Sequence, residues 1–253
     1  MNPTPYLIIV LILALATLLW LLSLRRNDAS IADIAWAPGF AVVTWAATAI
    51  HGSLSLRGWL ILILVNVWAV RLSRHIWRRH DGEDRRYAAM RAKHGARWWW
   101  QSLFQVFWLQ ALLCWLISWP LQLAVTSTAL IGLADIVGML LAVAGLLIEA
   151  IADTQLAQFR SEQASRGQVM DRGLWRWSRH PNYFGDALMW WGYFLIGFAP
   201  SGGWWTIFCP ITMTFLLLRV SGVSLLEETI TERRPGYAEY IRRTSAFIPL
   251  PPK

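Results

Sequence analysis

The feature that most constrains this chain is an uninterrupted apolar run at residues 6–24, YLIIVLILALATLLWLLSL, which contains no Asp, Glu, Lys, Arg or His. At about 1.5 Å per residue a helix over this run spans roughly 30 Å, the hydrocarbon thickness of a bilayer. Lipid offers the backbone no hydrogen-bond partners, so such a run must be helical. A cleaved signal peptide is the competing interpretation, but Arg25 and Arg26 follow the run instead of preceding it.

Six further apolar segments follow, and together they predict an all-α membrane protein with seven transmembrane helices. The third span is the weakest, because Arg57 and Arg71 lie within its two ends, and we expect both side chains to snorkel towards water. The composition agrees, because only 15% of the residues are charged whereas soluble domains carry about 25%. The spans are predicted at residues 6–24, 33–50, 56–73, 102–123, 130–152, 183–200 and 204–226.

The basic residues predict the orientation in the membrane. Two follow the first span, nine lie in residues 71–97, five in 153–180 and six in 219–253, so that 22 of the 23 fall on one side. An excess of Lys and Arg marks cytoplasmic loops, which puts the N-terminus outside and the C-terminus in the cytoplasm. The same loops account for the net charge of +8, so nucleic acid is not expected as a partner. Function is expected on the inner face.

The two cysteines, Cys114 and Cys209, both fall inside apolar segments. Neither has a partner at metal-ligand spacing, so we expect buried thiols that act as small hydrophobes and we predict no metal site.

Ionisable residues inside membrane helices are costly and indicate function by default. Glu149 and Asp153 are four residues apart on the fifth span and therefore share one face, on which Arg160 follows seven residues later. Two acids and an arginine suit a ligand with hydrogen-bond donors and anionic groups, such as a nucleotide. The alternative is an ordinary helix end that reaches into water.

A second polar group lies in the segment RHPNYFGD, residues 179–186, which leads into the sixth span. Asn182, Asp186 and Trp190 recur every four residues and form a polar stripe on an apolar helix. Arg179 and His180 add positive charge at the helix entrance, which favours phosphate or another anion. The alternative is a capped, interfacial helix start.

Two further groups lie on the predicted inner face. The C-terminal stretch that contains Tyr237, Tyr240 and Arg243 is basic and aromatic, and either covers a nucleotide site or binds anionic lipid as a surface helix. The inner loop after the third span places His75, Arg79, Glu83 and Tyr87 at intervals of four residues, so one face is directed at a substrate if the loop is helical. Asp33, at the cytoplasmic entrance of the second span, is a further candidate, or a helix cap.

The segment RGLWRWSRHPNYFGDALMWWGYFLIG, residues 172–197, resembles steroid 5-alpha-reductase-like membrane proteins and looks closest to their poorly characterised bacterial branch. The resemblance extends through RRPGYAEYIRRTSAFIP and, more weakly, over most of the chain. The wider superfamily includes sterol reductases and isoprenylcysteine carboxyl methyltransferases. The resemblance implies one membrane domain, residues 1–253, with a lipid-substrate side in residues 1–128 and a cofactor-binding part in residues 129–253. It also favours a bacterial inner membrane over the endoplasmic reticulum.

The reductase resemblance implies NADPH held in the cytoplasmic half. It matches the nucleotide-binding acid of the family to Asp153, the phosphate-binding arginine to Arg160, and a helix-five asparagine to Glu149, which is a departure. A second departure is Ile76, which stands where characterised steroid reductases have the Tyr that donates a proton. The cofactor-binding candidates are Glu149, Asp153, Arg160, Arg179, His180, Asn182, Tyr183, Asp186, Trp190, Glu228, Tyr237, Tyr240 and Arg243, and the catalytic candidates are Asp33, His75, Glu83 and Tyr87.

Three functions follow as hypotheses. The first is an NADPH-dependent reductase of a carbon–carbon double bond in a membrane-dissolved lipid or steroid-like substrate. The second is an S-adenosylmethionine-dependent methyltransferase of a lipid or prenylated substrate, disfavoured because a sulfonium cofactor needs acids and aromatic rings more than arginines. The third is a non-enzymatic lipid-binding protein. The sequence leaves the oligomeric state open, and a monomer is compatible with all three.

Overall fold

The structure, a computed structural model, describes residues 4–163, 167–220 and 236–253, and only the backbone of residues 199–201. Over these residues the chain is helical and has no strand, apart from an isolated bridge between Ser178 and Ser245. The predicted all-α fold class is therefore confirmed.

The helices begin and end as follows, in chain order: α1 (Thr4–Arg26), α2 (Ile31–His51), α3 (Leu56–Arg79), α4 (Arg85–His94), α5 (Trp98–Ser102), α6 (Leu109–Ile117), α7 (Trp119–Thr126), α8 (Leu133–Ser161), α9 (Pro181–Ser201), α10 (Phe208–Phe215) and α11 (Tyr237–Arg243). Segments of 3₁₀-helix lie at Gly95–Arg97, Gly173–Arg176 and Trp204–Ile207, and segments of π-helix at Leu103–Trp108 and Leu216–Val220.

Five helical stretches in the described part of the chain are long and apolar enough to cross a membrane. They are α1, α2, α3, α8 and the stretch Arg85–Ile117, and each overlaps one of the first five predicted spans, although Arg85–Ile117 begins 17 residues before the fourth predicted span, 102–123, and ends six residues before that span ends. Helix α1 leaves apolar side chains such as Val10 and Leu18 more than half exposed, as expected for a surface that faces lipid. The chain is a multi-pass membrane protein. Seven spans and the orientation of the termini stay predictions.

The chain divides into two compact units. The N-terminal unit consists of residues 1–131 with 200–203, and the C-terminal unit consists of residues 132–199 with 204–253.

The core of the N-terminal unit lies between α2 and α3, which pack together more extensively than the other helices described in that unit. Phe40 and Val43 of α2 and Val65 and Trp68 of α3 are fully buried. The rings of Phe40 and Trp68 are tilted with centroids 5.7 Å apart, a favourable geometry for an aromatic pair.

The prediction that Arg57 snorkels towards water is wrong, because its side chain is buried with only 2% of its surface exposed. Its guanidinium donates to the carbonyl oxygens of Ala129 (2.9 Å) and Leu130 (2.8 Å) and to the hydroxyl of Ser127 (3.1 Å). A buried charged group is tolerated when its N–H donors have acceptors. Here the acceptors are backbone carbonyls just beyond the end of α7. Arg71, at the other end of the predicted span, is half-buried.

The fourth predicted span, residues 102–123, is not one continuous helix. It begins as π-helix at Leu103–Trp108, continues as α6, and breaks at Ser118 before α7. Pro120 lies in the first turn of α7, where the missing N–H costs nothing, and this position favours a new helix start over a continued one. The two cysteines are buried and free, as expected from the sequence.

In the C-terminal unit, α8 and α9 pack so closely that their backbones touch at two glycine pairs. A Cβ on Gly145 would lie 2.4 Å from the carbonyl oxygen of Gly185, and a Cβ on Gly138 would lie 2.7 Å from that of Gly192. The glycines are seven residues apart on each helix, so both pairs lie on one seam. Small residues are the usual means by which membrane helices approach this closely.

Helix packing at this seam predicts that Gly145→Ala destabilises the protein. The added methyl group collides with the backbone of α9, which cannot move aside as a flexible side chain could, and we expect a loss of about 1–3 kcal/mol. Thermal unfolding in mild detergent should show a melting temperature several degrees below that of the wild type. Ala157→Val, on an exposed part of α8, is the control and should melt like the wild type. An unchanged melting temperature for Gly145→Ala would contradict the close packing.

Candidate functional site

The acids and the amide singled out on α8 and α9 come together in the C-terminal unit. The Asn182 side-chain amide donates to the Asp153 carboxylate over 3.1 Å. The backbone of Glu149 packs on Gly185, since a Cβ on that glycine would lie 2.6 Å from the Glu149 nitrogen. Glu149, Asp153 and Asp186 are each at most 7% exposed. Three buried carboxylates beside an amide form an acceptor-rich site.

Tyr193 lies on the same face of α9 as the polar stripe of Asn182, Asp186 and Trp190, and the sequence analysis did not select it. It lies seven residues after Asp186 on α9, is fully buried, and meets the Trp190 ring edge to face with centroids 5.5 Å apart. The carboxylates of Asp186 and Glu149 are close enough to interact with its phenol electrostatically. The periodicity of Asn182, Asp186 and Trp190 could have found it, because position 193 is the next on the same helical face.

Two buried polar atoms at this site have no hydrogen-bond partner within the described residues, the Tyr193 hydroxyl and the Asn182 side-chain oxygen. A buried polar group without a partner costs about 1–3 kcal/mol, so most such groups in native proteins are satisfied. A ligand with hydroxyl and amide groups would satisfy both atoms, and its N–H and O–H groups would be accepted by the neighbouring carboxylates.

Positive charge collects at the C-terminal end of α8. Arg160 is exposed in the last turn, and the Arg172 guanidinium lies over the Phe159 ring, 6.0 Å from its centroid. Phe159 belongs to a buried apolar cluster with Trp175, whose indole donates to the carbonyl of Ala152 over 3.0 Å. Arg172 had no recognisable signal in the sequence, because it comes from a loop that folds back on α8.

Arg179 holds the C-terminal segment in place. It is buried and donates through one guanidinium nitrogen to the carbonyls of Ile241 (3.1 Å) and Thr244 (2.7 Å) at the end of α11. The neighbouring His180 is also buried, and its ring stacks on Tyr183 with centroids 5.6 Å apart. These contacts give Arg179 a structural task that the sequence did not indicate.

The C-terminal segment packs on the loop that precedes α9. The Tyr240 hydroxyl donates a short hydrogen bond to the carbonyl of Trp175 and a longer one, 3.3 Å, to that of Ser178. Burial raises the pKa of Tyr240 above its ordinary value, so the phenol stays a donor at neutral pH. Arg243 forms an ion pair with Asp171, and the buried Tyr237 contacts the Tyr240 ring. Glu228 lies outside the described residues.

In the N-terminal unit, two of the four catalytic candidates meet. The Tyr87 hydroxyl donates to Asp33 over 2.6 Å, and Arg86 forms an ion pair with the other oxygen of this carboxylate at 2.7 Å. The amide nitrogen of Gln110, a residue that the sequence analysis did not select, lies 3.3 Å from both Asp33 and the Tyr87 oxygen. Asp33 is thus the acceptor at the centre of a hydrogen-bonded network.

The other two candidates lie apart from this network. Glu83 binds the guanidinium of Arg91 with both carboxylate oxygens (2.8 and 3.0 Å) and accepts the backbone N–H of Ala29 over 3.0 Å. His75 contacts Arg79 one helical turn along α3, with 3.1 Å between the nitrogens. The regular spacing had suggested one face, but α3 ends at Arg79 and α4 begins at Arg85, so the helical periodicity does not continue through the loop.

The N-terminal unit also contains a partly open apolar cavity of about 560 Å³ between α1, α2, α3 and the π-helix with α6. Leu15, Trp36, Phe107 and Cys114 are among its walls, and Gln110 connects it to the Asp33–Tyr87 network. The π-helix Leu103–Trp108 ends just before Gln110, and such distortions of helices are frequent at functional sites. A cavity of this size and apolar character suits a hydrophobic small molecule.

These features define the class: an all-helical, multi-pass membrane protein with a buried acid–amide site and an apolar cavity. The chain belongs to the family described as "Protein of unknown function (DUF1295)", which matches residues 19–244 and is associated with steroid 5-alpha-reductase-like proteins. It is similar to "Uncharacterized protein C594.04c" of Schizosaccharomyces pombe, with 24% identity over 98% of this chain and 80% of the relative. No solved structure matches the chain.

The two buried tyrosines predict opposite effects of the same substitution. Tyr193→Phe should leave the melting temperature of ligand-free protein unchanged or slightly raised, because its hydroxyl has no partner in the described residues. Tyr240→Phe should lower the stability by about 1–2 kcal/mol, because two buried carbonyls lose their donor. Thermal unfolding of both variants measures the difference. A destabilised Tyr193→Phe would show that the hydroxyl serves the fold instead of a ligand.

Proposed function

We propose that this protein is an NADPH-dependent reductase of a carbon–carbon double bond in a membrane-dissolved lipid. The observation that carries the proposal is the buried group of Glu149, Asp153, Asn182 and Asp186 on α8 and α9. The association of the family with steroid 5-alpha-reductase-like proteins supports it. Within that group, the bacterial, poorly characterised branch is the proposed place of this chain.

The donors and acceptors of the C-terminal unit fit a nicotinamide nucleotide. The carboxylates would accept the hydroxyls of the sugars and the N–H groups of the carboxamide, and the unsatisfied Asn182 oxygen and Tyr193 hydroxyl add two more polar partners. Arg160 and Arg172 supply positive charge for phosphates at the inner end of α8. NADPH, when bound, would supply the hydride.

The N-terminal unit would bind the lipid and supply the proton. The cavity would hold the lipid, and the Tyr87 hydroxyl, which donates to Asp33 over 2.6 Å, is the proposed proton donor beside it. Glu83 is less suited to that role, because it accepts from Arg91 and the backbone of Ala29 and lies apart from the Asp33–Tyr87 network that Gln110 connects to the cavity.

The proposed membrane arrangement has seven spans, with the N-terminus outside and the C-terminus in the cytoplasm, in a bacterial inner membrane. The five helical stretches that are long enough to cross support the first five spans. Helix α9 and the apolar stretch Trp204–Val220 are the proposed sixth and seventh.

A second candidate function, lipid methylation from S-adenosylmethionine, is favoured by one observation. Arg179 and Arg243, which had argued for phosphate, bind protein groups in the structure. The buried carboxylates beside Trp190 and Tyr193 would also suit a cationic sulfonium, through charge and cation–π attraction. Labelled methyl transfer to extracted lipid, without NADPH binding, would favour this reading.

NADPH binding tests the proposal directly. Purified protein in mild detergent should bind NADPH, and Asp186→Asn should weaken binding about tenfold or more, because an acceptor for ligand N–H or O–H groups is replaced in part by a donor. Energy transfer from tryptophan to the reduced nicotinamide provides the measurement.

The matched control is Asp135→Asn. Asp135 is an equally buried acid on the same helix, but it accepts the backbone N–H of Gly132 over 2.8 Å at the far end of α8. This variant should bind NADPH like the wild type. Failure of the wild type to bind NADPH, or equal binding by Asp186→Asn, would refute the reductase proposal. A purely lipid-binding protein would show neither NADPH binding nor turnover.

A further inference from the structure

Gln110 is a polar group in the wall of a largely apolar cavity. Its amide nitrogen is 3.3 Å from Asp33 and 3.3 Å from the Tyr87 oxygen. The chemistry of these neighbours fixes the direction in which the amide of Gln110 faces.

The Asp33 carboxylate can only accept here. It already receives the Tyr87 hydroxyl at 2.6 Å and is ion-paired with Arg86 at 2.7 Å. Gln110 must therefore turn its NH₂ group towards Asp33. The two oxygens that it faces are 2.6 Å apart and each lies 3.3 Å from the amide nitrogen, so they share one N–H donor. Because a side-chain amide is planar, its carbonyl oxygen points away from that pair and remains able to accept.

We infer that the cavity takes an apolar molecule that carries a hydroxyl group, and that the Gln110 carbonyl accepts the hydrogen bond of this hydroxyl. The volume of about 560 Å³ has room for roughly 15–20 non-hydrogen atoms at about 30 Å³ each. A ketone, ester or ether oxygen has no proton to give to this carbonyl. The inference rests on the proposed function for its place in catalysis, since it names the class of lipid that the enzyme takes.

Other polar groups in the wall bear on the same choice. The Ser73 hydroxyl donates to the carbonyl of Ile34 over 2.8 Å, so its proton is engaged. Trp36 and Trp77 also line the cavity, and an indole N–H would suit a ligand that only accepts. A protein that prefers a ligand with a hydrogen-bond donor recognises it through the Gln110 carbonyl. A protein that prefers a ligand that only accepts recognises it through an indole N–H.

The experiment compares 1-hexadecanol with 1-methoxyhexadecane, which has the same chain but no hydroxyl proton. Binding of each labelled compound to the full chain in mild detergent is measured by equilibrium partition. The wild type should bind the alcohol about tenfold more tightly, the effect expected of one hydrogen bond. Gln110→Leu keeps the apolar volume but removes the acceptor, so it should bind the two compounds equally.

Two control variants separate the hydrogen bond from the cavity. Gln105→Leu changes an exposed glutamine of the neighbouring π-helix and should keep the tenfold preference. Ala35→Phe places a ring in the cavity wall and should weaken the binding of both compounds. No preference in the wild type, an unchanged preference in Gln110→Leu, or retention of phospholipid with neither compound bound would overturn the inference.

NADPH titration of the same preparations separates the two proposals. Intact NADPH binding without an alcohol preference overturns this inference alone. A preserved alcohol preference without NADPH binding overturns the reductase proposal alone and leaves a hydroxyl-selective lipid site.

Discussion

In a bilayer, two helices gain little by hiding leucine side chains from lipid tails that are equally apolar. Helices α8 and α9 instead associate through backbone contact at the pairs Gly145–Gly185 and Gly138–Gly192. This contact fixes both the distance and the register of the two helices. Glu149 consequently lies against Gly185, and Asp153 lies within hydrogen-bonding distance of Asn182. The candidate site of the C-terminal unit follows from this seam.

The close packing of α8 and α9 also explains how buried carboxylates, which cost free energy, are stabilised in apolar surroundings. A carboxylate inside the membrane is tolerated when donors surround it, and close helices bring the donors of α9 to the acids of α8. Arg57 illustrates the principle in the N-terminal unit, where a buried guanidinium is satisfied by the ends of a loop. Polar atoms that stay unsatisfied at the seam, the Tyr193 hydroxyl among them, are then the strongest physical indication of a ligand.

The sequence predicted what depends on local pattern. Length and hydropathy located the five helical stretches that are long enough to cross a membrane, and the helical period placed Asp153 and Asn182 on the helix faces that meet in the structure. Contacts that depend on how two distant segments of the chain align could not be predicted. The glycine pairs, the carbonyl partners of Arg57 and of Arg179, and the amide of Gln110 beside Asp33 all join residues far apart in the chain. The sequence alone does not distinguish a buried arginine that binds protein carbonyls from an arginine that binds phosphate.

The central claim is that α8 and α9 bring residues 153 and 182 to within bonding distance. Cysteines at both positions, Asp153→Cys with Asn182→Cys, in a chain whose two native cysteines are replaced by alanine, test it directly. A short bifunctional thiol reagent applied to the membrane should link the two thiols rapidly, detected by mass spectrometry of the linked peptides, because the side chains that they replace end 3.1 Å apart. Thr154→Cys with Asn182→Cys, which places one thiol on the exposed side of α8, should remain unlinked. Equal cross-linking of the two pairs, or none in the first, would contradict the account.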